Sequence, residues 1–589
     1  MTSRLTSRMA KLNPFASKPS RKIDDEDAGD VIDASTVAGG GHAALETEVT
    51  KHQLRVSPAL REFLVSKDVL SEKDAGLENP SKLTEPLHDL VNRDHINVPA
   101  YVTDRSHPLP EYFISSSHNT YLLAHQLYGT SSADAYKTAL RTGSRCVEID
   151  AWDDEDNKDE PKVTHGYTLV SNIPFRAVCE TIRDVVDEEA AQSVSQPGHR
   201  TAPVLLSLEN HCDAHGQQRL VEIMKEVWGD RLLSKAVRQK GHDEQQGTGE
   251  QVTLEELGSK IVVIVEYHFP SEANDEDEDD SDSSSDEDEE TAQARKAYNE
   301  KKKAAPTVIV PELAELGVYA QSVKPRDNSW FDDDGLRDAP HHHLINMSET
   351  GLLTHLPAES HKIARHNAVH LMRVYPKGTR ISSRNLKPVA FWGIGAQICA
   401  LNWQTFGASI QLNEALFSGS DGYVLKPAAL RAGGNGVLNT GRRKRLRLHV
   451  GGACDIPVPE GREADDIKPY LTCTLYHPDF LTDDDIPKRK TGHYKQHKLG
   501  LVHKWANSPS TDPIWDEVLE WEYDDNEMVF LRLLIKSDDA FARNPILVVS
   551  AVRLSYAVEG WSFIRMLDLK GRETRCSLCV RFEVLDVVD

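Results

Sequence analysis

Between 51 and 95, Leu60, Phe63, Leu64 and Val69, then Leu83, Leu87, Leu90 and Val91, fall at helical spacing and predict a small helical lobe. From 108 the pattern changes. Short apolar runs at 112–116, 146–151, 162–165, 204–208 and 261–267 read as strands, with helical patterns at 133–141, 175–187 and 217–228 between them. Such alternation predicts parallel β/α units. It stops near 268 and resumes with segments 312–319, 364–373, 390–402 and 423–425. Both stretches together supply about eight strands in about 290 residues, the size of a TIM-like (β/α)8 barrel. After 442 the runs at 445–450, 469–476, 517–523, 528–536, 547–553 and 577–582 read as short strands joined by turns, an all-β sandwich.

The 589 residues are enough for several domains. Residues 1–50 are polar and Gly-rich and predict a disordered arm. Its first residues are basic and free of acids, which suits contact with an anionic membrane better than a transit peptide. The net charge of −25 argues against nucleic acid as a partner. About half of that excess sits in the Asp, Glu and Ser tract at 275–290. It predicts a solvated linker over 269–305, an insertion that a loop between barrel halves tolerates. Eight cysteines without paired zinc spacing read as reduced, mostly buried thiols of a cytosolic protein; the lone CxxC at Cys576 and Cys579 lies in strand-like sequence. No apolar run is long enough to span a membrane.

The candidate chemistry gathers at strand ends. Glu148 and Asp150, two apart, share one face of their strand. Buried carboxylates so placed are costly unless they bind a cation or take part in catalysis. With Asn119 and Glu209 they make four oxygen ligands, a set that selects calcium or magnesium over zinc. His118 and His165 end strands at the same side and suit proton transfer near neutral pH. Arg373 and Tyr375 alternate on one strand and suit an anionic, ring-shaped ligand. His341, His342 and His343 read as a plain polar loop, and His211 and His268 remain unassigned.

The motifs SSSHNTYL (115–122), VEID (147–150), THGYT (164–168), LSLENHC (206–212), RHNAVHLMRVYPKG (365–378) and GYVLKPAALR (422–431) occur in this order. Through them the chain resembles eukaryotic phosphoinositide-specific phospholipase C, most like delta-type and fungal members. The resemblance implies an X region at 108–268, the acidic linker at 269–305, a Y region at 306–440 and a C2 domain at 441–589, behind an EF-hand-like remnant at 51–107 that has no calcium loop. It implies a calcium-dependent enzyme that cleaves phosphatidylinositol or its phosphates to diacylglycerol and inositol phosphate through a cyclic phosphate. His118 and His165 match the catalytic histidines, and Asn119, Glu148, Asp150 and Glu209 the calcium ligands, Glu148 or another ligand carboxylate also serving as base. Arg373 and Tyr375 match residues that hold the inositol ring and its 4-phosphate; Asn346, with Ser348 beyond it, stands where a serine contacts that phosphate. Leu127, Leu169 and Leu353 match an apolar ridge that dips into lipid. The implied partners are membrane phosphoinositides and an anionic membrane surface, reached peripherally and reversibly from the cytoplasm.

Three departures bear on substrate and membrane. Ile264 and Glu266 occupy the positions of two lysines that hold the 4- and 5-phosphates; their loss favours less phosphorylated inositides, whereas the family's habit favours the 4,5-bisphosphate, and both stay open. Thr379 replaces a tryptophan of the ridge. Lys468 replaces an aspartate of the first C2 calcium loop while Asp512, Asp538 and Asp539 remain, leaving a calcium-binding and a purely structural sandwich both open. A different class of function, a phosphoinositide-binding scaffold with weak or no activity, is the alternative.

Overall fold

A computed structural model describes residues 54–122, 131–164, 172–195, 201–238, 251–267, 308–325, 327–332, 336, 339–377, 385–482, 485–496, 508–538 and 546–587. The expected terminal arm, the acidic linker, His165, Leu127, Leu169, Thr379 and Asp539 lie outside these residues.

Eight strands form a series of parallel neighbours: β1 (Tyr112–Ile114), β2 (Cys146–Trp152), β3 (Val204–Asn210), β4 (Ile261–Tyr267), β5 (Gln321–Val323), β6 (His343–Ser348), β7 (Leu371–Tyr375) and β8 (Ile398–Cys399). Each from β2 to β8 pairs in parallel with the next, and β8 pairs in parallel with β1. A parallel bridge between Ser116 and Cys146 brings the series back to β2. The short strands Ser117–His118 and Leu401–Asn402 extend β1 and β8 as a second parallel pair. Helices such as Asp134–Arg141, Phe175–Ser195, Ala214–Trp228 and Ser360–Asn367 lie between these strands in the chain. Strands covered on both faces read as unbroken apolar runs, and β4, IVVIVEY, is buried over its first five positions.

Four expectations change. The predicted strand at 162–165 is a two-residue strand, Lys162–Val163, that runs antiparallel to β2 outside the series. Tyr423–Leu425 is likewise antiparallel, to β1. Segment 312–319 contributes a helical turn, Pro311–Ala314, because Pro311 sets its first turn; the strand follows at β5. His343, assigned to a polar loop, opens β6 and is 6% exposed. β6 has few apolar residues, yet it is held between β5 and β7 by its backbone register.

The C-terminal part is an antiparallel sheet of eight strands: β9 (Arg443–Cys454), β10 (Pro469–Tyr476), β11 (Lys488–Lys490), β12 (Ile514–Asp524), β13 (Phe530–Ser537), β14 (Ile546–Arg553), β15 (Gly560–Leu567) and β16 (Glu573–Asp586). Their order is β11-β10-β13-β14-β15-β16-β9-β12. Leu446, Leu448, Leu471, Leu533, Trp521 and Leu578 meet in one core inside it. Helix Ala408–Phe417 is buried on every side. It ties this sheet to the parallel one, with Arg532 Nε donating to Gln411 Oε1 at 2.7 Å in the buried seam. All eight cysteines are buried and unpaired by disulfides. No helix among the described residues is long and apolar enough to cross a membrane.

Two helices form between 58 and 92 and dock where the pattern alone gave no direction. In α1 (Pro58–Ser66), Ser57 caps the Leu60 amide and Pro58 fits the first turn. Leu60, Phe63 and Leu64, with Leu87 and Val91 of α2 (Glu85–Asn92), pack on Cys454, Ile514, Phe563 and Cys579 of the C-terminal sheet. Phe63 meets Trp561 edge to face at 5.5 Å. Burying each such side chain contributes about 1.5–3 kcal/mol.

Candidate active site

Alternation along the strands sends every second side chain inward. The register aligns Glu148 with Ser207 and Ile264, Asp150 with Glu209, Asn346 with Arg373, and Ser348 with Tyr375. These residues therefore share the inner face. Toward the N-terminal ends the same face is apolar, with Cys146, Leu205, Val262, Leu344, Leu371 and Ile398 in one cluster. Toward the C-terminal ends it becomes polar, the end at which parallel β/α folds place their chemistry.

Glu148, Asp150 and Glu209 each offer a carboxylate oxygen, and these oxygens lie within 4.8 Å of one another. Glu148 and Asp150 are buried. The Arg373 guanidinium, itself 1% exposed, forms an ion pair with Glu148 Oε1. The Asn119 amide donates to Glu148 Oε2 at 2.6 Å. Asn119 reaches that geometry with φ +46, a left-handed conformation that asparagine tolerates better than most residues. Burial opposes the Glu148 charge, but Arg373, His118 and the hydrogen bonds from Glu209 and Asn119 outweigh it and hold the carboxyl at about 2. Asp150 is pushed well up by burial and by the Glu148 charge, and Glu209 by burial and by Asp150. Three carboxylates so close together call for more positive charge than Arg373 alone supplies.

Among the described residues, the buried Asp150 Oδ1 and Arg373 Nε find no hydrogen-bond partner. The first is an acceptor beside the carboxylate cluster and the second a donor beside it, so the site has room in its hydrogen bonding for a cation and for an anionic group. The oxygen-only donor set fits calcium.

His118 lies over the cluster, its Nε2 3.9 Å from Glu148 Oε2. Its Nδ1 is 2.8 Å from Asn402 Oδ1, which as an amide oxygen accepts, so Nδ1 carries the proton and Nε2 faces the site. Burial pulls the imidazole below its usual range, with Arg373 adding to this and Glu148 opposing it. Arg373 Nη1 donates to Asn346 Oδ1 at 3.1 Å, and the guanidinium carbon lies 5.7 Å from the centre of the Tyr375 ring. Ser348 Oγ accepts from the Gly351 amide at 3.1 Å and so caps the short helix Glu349–Leu353. Leu353, expected on a membrane ridge, is half-buried against the core.

The structure adds residues that the motifs did not single out. The Tyr121 hydroxyl donates to Asp150 Oδ2 at 2.7 Å and lies 3.0 Å from Asn119 Oδ1, linking two expected ligands. Asn402 orients His118, and Gln404 Nε2 donates to the Asn119 carbonyl at 3.1 Å. Tyr121 lies inside the first motif and Asn402 ends a predicted strand run, so position at a strand end was the available signal.

Comparison with known proteins gives the family. The model for the phosphatidylinositol-specific phospholipase C X domain matches residues 105–267, and that for the Y domain residues 313–429. The chain belongs to the eukaryotic phosphoinositide-specific phospholipase C family. It is 29% identical over 496 residues to the human 1-phosphatidylinositol 4,5-bisphosphate phosphodiesterase delta-1, covering 82% of this chain and 61% of that relative. It is 31% identical over 483 residues to the Dictyostelium discoideum 1-phosphatidylinositol 4,5-bisphosphate phosphodiesterase, covering 75% and 55%. The chain thus spans little more than half the length of these relatives. The crystal structure of L. pealei PLC21 superposes with a TM-score of 0.66 at 23% identity, covering 100% of this chain and 69% of that one. The architecture fits a phospholipase C fold with a C-terminal C2 domain.

Against that family, the two lysine positions have distinct fates. Ile264 is buried in the apolar inner cluster. Glu266 is exposed at the end of β4, aligned with Ser322. In the C-terminal sheet, Asp512 is taken by Arg55, whose Nη2 lies 2.6 Å from its Oδ1, and by the Asp455 amide at 2.9 Å. Asp538 pairs with His493 at 3.0 Å.

Proposed function

We propose that the chain is a calcium-dependent phosphoinositide phospholipase C whose parallel strands form a (β/α)8 barrel split by the acidic linker. The domains follow the sequence reading: a polar arm to 50, a helical lobe at 51–107, barrel halves at 108–268 and 306–440, and a C2 domain from 441. The observation that carries the function is the convergence of Glu148, Asp150 and Glu209 beside His118 and Arg373 at one end of the strands.

Glu148, Asp150, Glu209 and Asn119 would hold the calcium. Calcium bound there lowers the pKa of the inositol 2-hydroxyl and offsets charge on the phosphoryl oxygens. Glu148, held ionised by Arg373 and the Asn119 amide, or another of the ligand carboxylates would accept the 2-hydroxyl proton. The 2-hydroxyl oxygen attacks phosphorus, and diacylglycerol departs with its oxygen. His118, kept oriented by Asn402, would donate from Nε2 to the phosphoryl oxygens as the imidazolium, the form that the neighbouring Glu148 carboxylate favours. His165 protonates the leaving oxygen and then activates the water that opens the cyclic phosphate, a role carried by its motif alone. Arg373, Tyr375, Asn346 and Ser348 receive the headgroup.

Glu266 at the mouth and Ile264 below it favour phosphatidylinositol or its 4-phosphate over the 4,5-bisphosphate. One charge-assisted contact is worth about 1.5–3 kcal/mol, so two lost lysines outweigh the remaining arginine. The enzyme works peripherally at a membrane from the cytoplasm, through an apolar rim that includes Leu127, Leu169 and Leu353. The C2 domain serves as a structural module, since Arg55 already pairs with Asp512 and the His493 ring lies against Asp538.

The test is release of inositol phosphate from vesicles of phosphatidylinositol, its 4-phosphate and its 4,5-bisphosphate, with calcium and with chelator. Calcium-dependent release that is fastest on the less phosphorylated lipids is expected. Absence of release from all three, with binding retained, would establish the scaffold reading instead.

A further inference from the structure

The strands that carry Asn346 and Arg373 bear a second cluster at their opposite ends. His341, His342 and His343 lead into β6. His366 and His370 stand one helical turn apart before β7, the His370 amide donating to the His366 carbonyl at 3.0 Å. Their rings meet. His343 stacks on His370 with centroids 3.8 Å apart, and His366 lies 5.0 Å from His370. His343 Nε2 is 3.0 Å from His366 Nε2.

The surroundings fix both tautomers. His343 Nδ1 is 3.0 Å from the Pro340 carbonyl oxygen, which only accepts, so this nitrogen carries hydrogen. His366 Nδ1 is 3.1 Å from Asn367 Oδ1. The Asn367 amide cannot be turned round, because its Nδ2 donates to the Ile394 carbonyl at 2.9 Å. His366 Nδ1 is therefore also a donor. Each neutral ring then presents a bare lone pair at Nε2, and the two lone pairs face each other. Moving either proton only transfers the conflict to the Pro340 carbonyl or to Asn367.

A positive species between the two nitrogens removes the conflict. A divalent cation supplies that charge and takes both lone pairs as ligands. Further nitrogen capacity is at hand, because His341 Nε2, His342 Nε2 and His370 Nδ1 are buried without partners.

We propose that His343 and His366 bind a transition-metal cation of the Zn2+ class through their Nε2 atoms, at the opposite end of the strands from the carboxylate cluster. Imidazole suits zinc, copper and nickel, whereas the oxygen cluster suits calcium. Zinc sits about 2.0–2.1 Å from each histidine nitrogen, so the observed separation matches two ligands on one ion with slight opening. Among the described residues these are the nitrogens that already converge, so water or a turned His370 completes the coordination. His366 and His370 have the i, i+4 spacing of helical zinc ligands. A cleft lined by Gln251, Tyr319, His342, His343 and His370 leads in.

The test uses the full chain, stripped of metal and supplied with excess Ca2+ to occupy the oxygen cluster, then titrated with Co2+ alone. Visible bands of nitrogen-ligated Co2+, displaced by one equivalent of Zn2+, and a Zn2+-dependent rise in melting temperature are expected. His343→Gln and His366→Gln should each abolish the bands, and His370→Gln should weaken binding several-fold. The wild-type measurement stands even where a variant fails to fold. No bands and no Zn2+-dependent rise in the wild type would overturn the proposal. So would bands that persist in both variants, or a nitrogen NMR spectrum at neutral pH that shows a shared imidazolium and no response to Zn2+.

Discussion

At the C-terminal ends of β6 and β7, Asn346, Ser348, Arg373 and Tyr375 look onto charged groups; at the N-terminal ends, His343 and His370 sit among neutral rings. Both ends are buried, yet only one keeps its charges. Arg373 remains ionised because Glu148 lies against it and the Asn119 amide supports Glu148 from the other side. Such a pair is costly to break, about 3–5 kcal/mol when one partner is removed, since the other is left buried alone. The imidazoles have no carboxylate partner among the described residues, and burial drives them toward the neutral form. The difference teaches that burial alone does not set the chemistry. What matters is whether the neighbouring strand supplies the opposite charge.

The sharpest way to break the comparison is to remove the proton carrier at the charged end. His118→Gln should lower kcat by about 10²–10⁴-fold with the fold intact, the usual size of acid–base catalysis. Lipid hydrolysis together with circular dichroism checks this, and near-normal kcat would remove His118 from the mechanism. A subtler change leaves every proposed ligand in place. Tyr121→Phe removes the hydroxyl that holds Asp150, and should raise the calcium needed for half-maximal activity by about 10–100-fold, as for other residues that orient metal ligands. An unchanged calcium curve would show that the carboxylates are positioned without it.

Glu266→Lys restores a cation at the mouth. It should shift the ratio of kcat/KM for the 4,5-bisphosphate over phosphatidylinositol upward by about tenfold, the value of one charge-assisted contact. A constant ratio would place headgroup selection elsewhere. The smallest effect belongs to the histidine end. The folded His343 sits near 4 while an unfolded histidine titrates near its ordinary value, so the unfolded chain binds the extra proton between them. Stability is complete above about pH 6.5 and falls on acidification toward 4, by at most about 1.4 kcal/mol per pH unit for this group. Melting curves between neutral and mildly acidic pH should show the decline, and His343→Gln should flatten it.

The active-site half of this architecture was largely legible in the sequence. β2, β3 and β4 are long, largely apolar and buried over most of their length, so their runs stand out and Glu148, Asp150 and Glu209 show as carboxylates within them. β5 and β6 were not legible. Gln321–Val323 has three residues, and His343–Ser348 mixes apolar with polar groups without a clear period and opens on histidine. Their strand state comes from neighbours on both sides, which no local pattern records. The same limit hid Asn402, whose partner His118 is 284 positions away.

By itself, the sequence determined the period of the long elements, the residues proposed for the catalytic kit and the family to which their motifs belong, because motifs and spacing are local properties of the chain. Only the tertiary structure decided that α1 and α2 rest on the C-terminal sheet, that Arg55 occupies Asp512, and that the three histidines expected in a polar loop meet His366 and His370 at one end of the strands. These are contacts between residues far apart in the chain. They depend on register, shape and mutual burial, quantities that exist only once the strands have been brought together.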